Sequence, residues 1–238
     1  MATYLQKTLD SLGSDIVSGV LPEGHVVTTQ QLEVDLGVSH SVMREAVRVL
    51  QTIGLVSSVQ RVGVKVLPAD SWNYFDPLVI KWRLSSGSSV AQLRSLSELR
   101  TAVEPMAASL AASSGPDELC AMLLGLAGEL RSAVRAGDYK RFVKVDVEFH
   151  SILLAASGNE MFALLRGVLG ETVSGRSELG LLPELPDEGS LQLHVDLADA
   201  IQGRRPHDAR SIADKLVCAI NDELESTWAG TPRIYPTI

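Results

Sequence analysis

The chain has 238 residues, a net charge of -8, 45% hydrophobic and 21% charged residues. That composition excludes a disordered chain, and the length suits two domains that each bury a core. Cys120 and Cys218 keep no metal or disulfide spacing, no apolar run approaches the roughly 18 residues of a membrane span, and Met1 to Gly19 lacks an export-signal pattern; a reduced, cytoplasmic setting is expected.

The acid excess argues at first against a nucleic-acid partner, because phosphate neutralisation needs clustered cations. It is unevenly spread, however. Within residues 1–68 five Lys and Arg stand against six Asp and Glu, so that stretch is near neutral and what matters is where its cations point.

Leu5, Leu9, Leu12 and Ile16 repeat at helical spacing, and Gly19 and Pro22 end that first helix. Thr28, with Gln31 three residues on, reads as a capping box that opens a second helix, which Gly37 stops. Ser39 caps a third helix whose inner face is Met43, Ala46, Val47 and Leu50, while His40, Arg44, Arg48 and Gln51 share the outer face. After Gly54, the alternating Val56, Val59, Val62, Val64 and Val66 with Gly63 predict two short strands and a turn.

Three helices followed by a β-wing make a winged helix-turn-helix, which lays the start of its third helix in the major groove. A small helical domain with a solvated Arg face remains the alternative, since charged helix faces are common. The run Leu36-Gly37-Val38-Ser39-His40-Ser41-Val42-Met43-Arg44-Glu45-Ala46-Val47-Arg48-Val49-Leu50, continued by Gly54-Leu55, resembles the signature of the GntR family of transcription regulators. The resemblance implies that Ser39, His40, Ser41 and Arg44 meet DNA, together with Gln30 and, in the wing, Arg61 and Gly63; Arg48 lies on the same outer face. An Arg is usual in the family where Gln30 and His40 stand, and both departures weaken the electrostatic grip.

Residues 68–77 break both periodicities and mark a linker over 69–87, whose Trp72, Tyr74 and Phe75 are costly to leave in water, so it is expected to dock on a domain. From Ser88 no strand pattern follows. Helical stripes begin with Leu96, Leu99, Val103, Met106 and Leu110 and continue over about 116–136, 138–156, 160–181, 190–203 and 206–228. The expected architecture is therefore mainly α: a winged helix-turn-helix over 1–68, an all-α bundle of six or seven helices over 88–230, and a tail at 231–238.

Asp146 and His150 are four apart and leave one face of a helix, beside Phe142, Val145, Phe149 and Ile152. His194 is in register with Leu191, Ala198 and Ile201 and so faces the bundle interior. A carboxylate and two imidazoles suit zinc, with nickel and manganese as alternatives, and leave open coordination positions. The other reading is a plain Asp-His ion pair with His194 bonded to a carbonyl. Arg100 and Glu104, one turn apart, read from spacing alone as a surface pair.

Asp146-Val147-Glu148-Phe149-His150 resembles the metal-binding helix of the FCD domain, found in the FadR branch of the GntR family, and His194 falls where a second His is expected. Many members add a third His in the last helix, but Ala213-Asp214-Lys215-Leu216 offers none, which implies three protein ligands. Glu98-Leu99-Arg100 to Glu104-Pro105 is similar to that family's Arg-x-x-x-Glu-Pro element. This implies that Arg100 takes the carboxylate of an effector, with Arg176 a weaker second candidate. Trp72-Asn73-Tyr74-Phe75-Asp76 and Ile80-Lys81-Trp82 resemble the segment of galactonate- and gluconate-type regulators, which implies a sugar acid.

The expected function is a homodimeric repressor that binds palindromic operator DNA and responds to a sugar acid such as gluconate held near a divalent metal. The alternatives are a regulator responding to another organic acid and a metal-dependent hydrolase with a DNA-binding-like appendage. Against an enzyme, the chain carries no Gly-x-Ser-x-Gly, His-Glu-x-x-His or phosphate-cradling loop.

Overall fold

The computed structural model describes residues 3–59, 63–178 and 188–233; the side chains of 172–174, 176–178, 220, 223, 224, 226 and 227 lie outside the description. The described residues form eleven α-helices, one short 3-10 turn and one three-stranded sheet. They divide into two compact units, the first reaching Gln92 and the second spanning Leu93–Thr231. Among them no helix is long and apolar enough to cross a membrane.

The first unit opens with α1 (Tyr4–Val17), capped by the Thr3 hydroxyl, which accepts from the Gln6 amide. Its predicted stripe is buried at Leu9, Leu12 and Ile16. The two helices α2 (Thr29–Leu36) and α3 (His40–Thr52) follow, each N-capped as the sequence predicts, by Thr28 and Ser39. Only half of the Thr28 capping box forms. The Thr28 hydroxyl accepts from the Gln31 amide, but the Gln31 side chain turns forward to Asp35 at 2.7 Å instead of back to Thr28.

The wing is β2 (Val56–Val59) and β3 (Gly63–Val66), and a short β1 (Val26–Val27) ahead of α2 joins it to give the order β1-β3-β2, all antiparallel. Two residues are too few to show alternation in the sequence, so periodicity missed β1. Val26 pairs with Lys65 and Val27 with Val64. That close approach needs Gly63: its φ of +143° lies in the left-handed half of backbone space, and a Cβ there would sit 2.3 Å from the Val27 carbonyl oxygen.

The segment after the wing folds onto the same unit as a 3-10 turn (Ala69–Ser71) and α4 (Pro77–Leu84). Its anchor is Trp82. The ring is 2% exposed and packs with Leu9, Leu12 and Val79, and its Nε1 donates to Asp10 Oδ1 at 2.9 Å. Trp72 and Tyr74 are half-buried, but Phe75 is 58% exposed, so the expectation that it too is sheltered is corrected. Arg83, buried, donates to Gln92 and lies over the Tyr74 ring.

The second unit holds α5 (Ser89–Ser114, from Leu93 on), α6 (Asp117–Arg135), α7 (Tyr139–Ala156), α8 (Glu160–Leu164), α9 (Arg166–Glu178), α10 (Glu188–Gln202) and α11 (Pro206–Trp228). Helix α6 packs on α7 and α10, α10 on α11, and α7 on α9. The stretch read as one helix from 160 breaks at Leu165, whose amide bonds Phe162 in an i to i-3 turn; its far end at Leu181 lies outside the described residues. In α5 the predicted stripe is buried at Leu96 and Val103 but not at Met106. Met106 is 38% exposed, and Ala107, Ala108, Ala111 and Ala112 carry the core instead, continuing a face that begins with Leu93, Leu96, Arg100 and Glu104. Alanines let neighbouring helices approach closely, and hydropathy alone underrates them.

Candidate functional site

The residues expected to meet DNA start at the caps of α2 and α3. Gln30, Ser39, His40, Ser41, Arg44 and Arg48 are all exposed, and Arg44 and Arg48 stand on the face of α3 opposite buried Met43, Ala46, Val47 and Leu50. The Ser39 and Ser41 hydroxyls are 3.1 Å apart. His40 Nδ1 lies 2.7 Å from Glu33 Oε1 on α2, a contact the sequence reading missed because the partners are seven residues apart across the turn. Gly63 is half-buried at the start of β3 and serves the sheet, as above, while Arg61 lies outside the described residues.

The second site is built on the interior of the helical unit. Asp146 and His150 project from α7 one turn apart, and His194 comes from α10; they are 8%, 4% and 4% exposed. One potential ligand atom from each lies within 4.8 Å of the others. Phe149, fully buried, meets both imidazoles edge-on, with centroids 5.6 Å from His150 and 5.1 Å from His194.

Hydrogen bonding fixes the tautomers. His194 Nδ1 is 2.9 Å from the Ser190 carbonyl, which can only accept, so Nδ1 carries the proton. The carbonyl bond expected of a purely structural His is thus present, yet it leaves the second nitrogen unused. His194 Nε2 is buried without a hydrogen-bond partner and faces Asp146 Oδ1 at 3.1 Å. Two acceptors that close repel unless a cation lies between them or a proton sits on Nε2. The donor types fit a divalent metal, with His194 Nε2 and Asp146 Oδ1 placed for one and a carbonyl holding His194 in the ligating tautomer, while His150 Nε2 would join them only on leaving Arg100.

His150 has a different neighbour. Arg100 Nη2 lies 2.9 Å from His150 Nε2, and a guanidinium can only donate, so this nitrogen is the acceptor and Nδ1 bears the proton, 2.9 Å from Glu104 Oε2. Arg100 Nε in turn donates to Glu104 Oε1 at 2.7 Å. Arg100 and Glu104 are 2% and 1% exposed, which corrects the surface-pair alternative: the pair exists and is buried.

Burial works against each charge here. Burial would push the Glu104 carboxyl up, but Arg100 and His150 hold it down at about 2. Asp146 is likewise penalised by burial and yet held well below the usual carboxylate range by His194, His150 and Arg100. For Arg100 the burial penalty is more than offset by Glu104 and Asp146, and its guanidinium sits above its ordinary value.

Arg100 also borders a narrow crevice lined by Ser97, Val217 and Asn221, too tight to hold a water molecule as the side chains stand. The sequence reading named neither Ser97 nor Asn221. A signal for the first was available, since Ser97, Arg100 and Glu104 interrupt the apolar face of α5 at spacings of three and four. Leu216 and Val217, both buried, occupy α11 near where a further His ligand was sought. The Arg176 side chain lies outside the described residues.

Comparison with known proteins matches this geometry in both units. Residues 6–66 match the family described as bacterial regulatory proteins, gntR family, and residues 95–217 match the FCD domain. The galactonate operon transcriptional repressor of Escherichia coli (strain K12) is 25% identical over 219 residues, which cover 90% of this chain and 94% of that protein. An uncharacterized HTH-type transcriptional regulator of the same strain, YieP, is 28% identical over 151 residues, 63% of this chain and 66% of its own length. Among solved structures, Streptococcus agalactiae GntR is 28% identical with a TM-score of 0.50, covering 92% of this chain and 99% of that one. The helix-turn-helix with its wing and the Asp-His-His cluster fall in the two matched segments, and the chain belongs to the gntR family of bacterial transcription regulators, as a member that carries an FCD domain over residues 95–217.

Proposed function

We propose that the chain is a cytoplasmic repressor of sugar-acid catabolism, whose hold on a palindromic operator is set by an aldonate bound in the helical unit. The observation that carries this is Arg100: a fully buried guanidinium whose Nη1 has no hydrogen-bond partner, next to the Asp146, His150 and His194 cluster. A buried guanidinium with one free arm can donate a charge-assisted bond to a carboxylate oxygen of a ligand. The name of the galactonate repressor, similar over most of both chains, supports a sugar acid rather than another anion.

Zinc is the metal proposed, with nickel and manganese as alternatives; held by Asp146, His150 and His194, it would supply a Lewis-acidic site for carboxylate and hydroxyl oxygens. The protein's own part is orientation and charge. Glu104 holds Arg100 in place, Ser190 fixes His194, and His150 Nε2 would exchange its bond from Arg100 for the metal. On the DNA side Arg44 and Arg48, with Gln30, Ser39, His40, Ser41, Arg61 and Gly63, are proposed to contact the operator. A homodimer is proposed because one such head reads too few base pairs, and two-fold symmetry suits palindromic sites.

The test is calorimetry with gluconate, glucose and octanoate, with and without added zinc. Gluconate is expected to bind at least tenfold more tightly than the other two, since losing a charged hydrogen bond costs about 1.5 to 3 kcal/mol. It should also change operator affinity measured by fluorescence anisotropy. Preferential binding of octanoate or glucose, or an operator affinity indifferent to bound gluconate, defeats the reading.

A further inference from the structure

Three of the four residues around the crevice beside Arg100 carry a buried polar atom with no hydrogen-bond partner: Ser97 Oγ, Arg100 Nη1 and Asn221 Oδ1. Buried polar side-chain atoms are nearly always paired in native proteins, so three orphans around one crevice call for an explanation. The orientation of the Asn221 amide is set by its neighbour. Thr101 Oγ1 donates to the Ser97 carbonyl at 3.0 Å, which spends its only proton. It can then only accept, and the Asn221 atom 2.8 Å from it must be the amide nitrogen. Asn221 Oδ1 is left as an obligate acceptor, Ser97 Oγ as a hydroxyl able to donate or accept, and Arg100 Nη1 as a charged donor.

A cation, an acceptor and a hydroxyl around one small space complement a ligand that presents a carboxylate together with alcohol groups. Val217 closes the fourth side with an apolar surface suited to the C–H face of a carbon chain. As the side chains stand the crevice is too tight for a water-sized sphere, so the hydroxylated end of a ligand enters only as Ser97, Arg100 and Asn221 part around it.

We propose that Ser97 and Asn221 form a hydroxyl-reading subsite of the effector site, with Asn221 Oδ1 accepting from an alcohol of the ligand while Arg100 holds its carboxylate. The inference rests on the sugar-acid reading above and deepens it: Arg100 selects an acid, and Ser97 with Asn221 selects a hydroxylated one. A fatty acid of the same length would leave both orphans unsatisfied, so discrimination comes from this pair and not from size.

The experiment measures gluconate and hexanoate binding by calorimetry for the parent, Ser97→Ala and Asn221→Leu. Both are six-carbon acids, and they differ in their hydroxyls. Asn221→Leu is expected to weaken gluconate at least tenfold while leaving hexanoate unchanged or tighter, and Ser97→Ala to shift the gluconate preference in the same direction by severalfold. Circular dichroism and the zinc-induced rise in Tm serve as controls of folding, and Ser97→Ala decides the question alone should Asn221→Leu fail to fold. Gluconate binding by the parent that both folded variants retain at full affinity overturns this inference and leaves the sugar-acid reading standing. A parent that binds no gluconate defeats that reading, and the inference with it.

Discussion

Replacing Glu104 with Gln tests the buried charge arrangement directly. The change keeps size and shape but leaves Arg100, 2% exposed, without the carboxylate it meets at 2.7 Å. A carboxyl drawn down from 4.5 to about 2 is worth about 3 kcal/mol at roughly 1.4 kcal/mol per unit, within the range of about 3 to 5 kcal/mol measured when one partner of a buried ion pair is removed. The pH dependence has a definite sign. A folded-state value below the unfolded one stabilises fully above about pH 4.5, and that stabilisation is lost as pH falls toward 2. Urea denaturation of chelator-treated protein should therefore show Glu104→Gln weaker by about 3 kcal/mol at neutral pH, and the gap should close on acidification through that window. Hydrogen exchange in α5 and α7 peptides would localise the loss to the helical unit. A variant within about 0.5 kcal/mol of the parent at pH 7, or a gap that persists unchanged to pH 2, would refute the view that Glu104 is what keeps Arg100 charged in the core.

Three further outcomes are expected. Gly13→Ala in α1 would ordinarily gain about 0.5 to 1 kcal/mol of helix propensity, but the new Cβ would lie 2.4 Å from the Trp82 ring, and overpacking costs about 1 to 3 kcal/mol, so thermal unfolding should show a net loss; a raised Tm would show that Trp82 does not pack there. Arg44→Ala, at an exposed position, should leave circular dichroism and Tm intact while costing about 1 to 3 kcal/mol of operator binding by anisotropy at fixed salt, and an unchanged affinity would remove Arg44 from the interface. Elemental analysis after incubation with zinc should find about one ion per chain, and His194→Ala should lose it without losing helical signal; a parent that takes up no zinc, nickel or manganese would leave the cluster as a charge network alone.

How much of this was legible before the fold follows from the range of each interaction. Caps and stripes are local, so Thr28, Ser39 and the core face of α3 could be read from spacing, as could the common helix face of Asp146 and His150. What spacing could not carry was pairing across elements. The contacts of His40 with Glu33, of His150 with Arg100 and Glu104, and of Asn221 with Thr101 join residues on different helices, and no periodicity relates them. The α5 stripe was read only in part, for another reason: Leu96 and Val103 are buried as expected, but Met106 is not. A helix face that holds an ion pair and four alanines has little hydropathy contrast, so the large apolar side chains, among them the exposed Met106, gave the stronger apparent signal. The same polar interruption that spoils the stripe marks the site. Charged residues are almost never fully buried unless paired, so Arg100 and Glu104 at an i, i+4 spacing inside an alanine-rich helix already require each other as partners, and any arm of Arg100 left over requires something else.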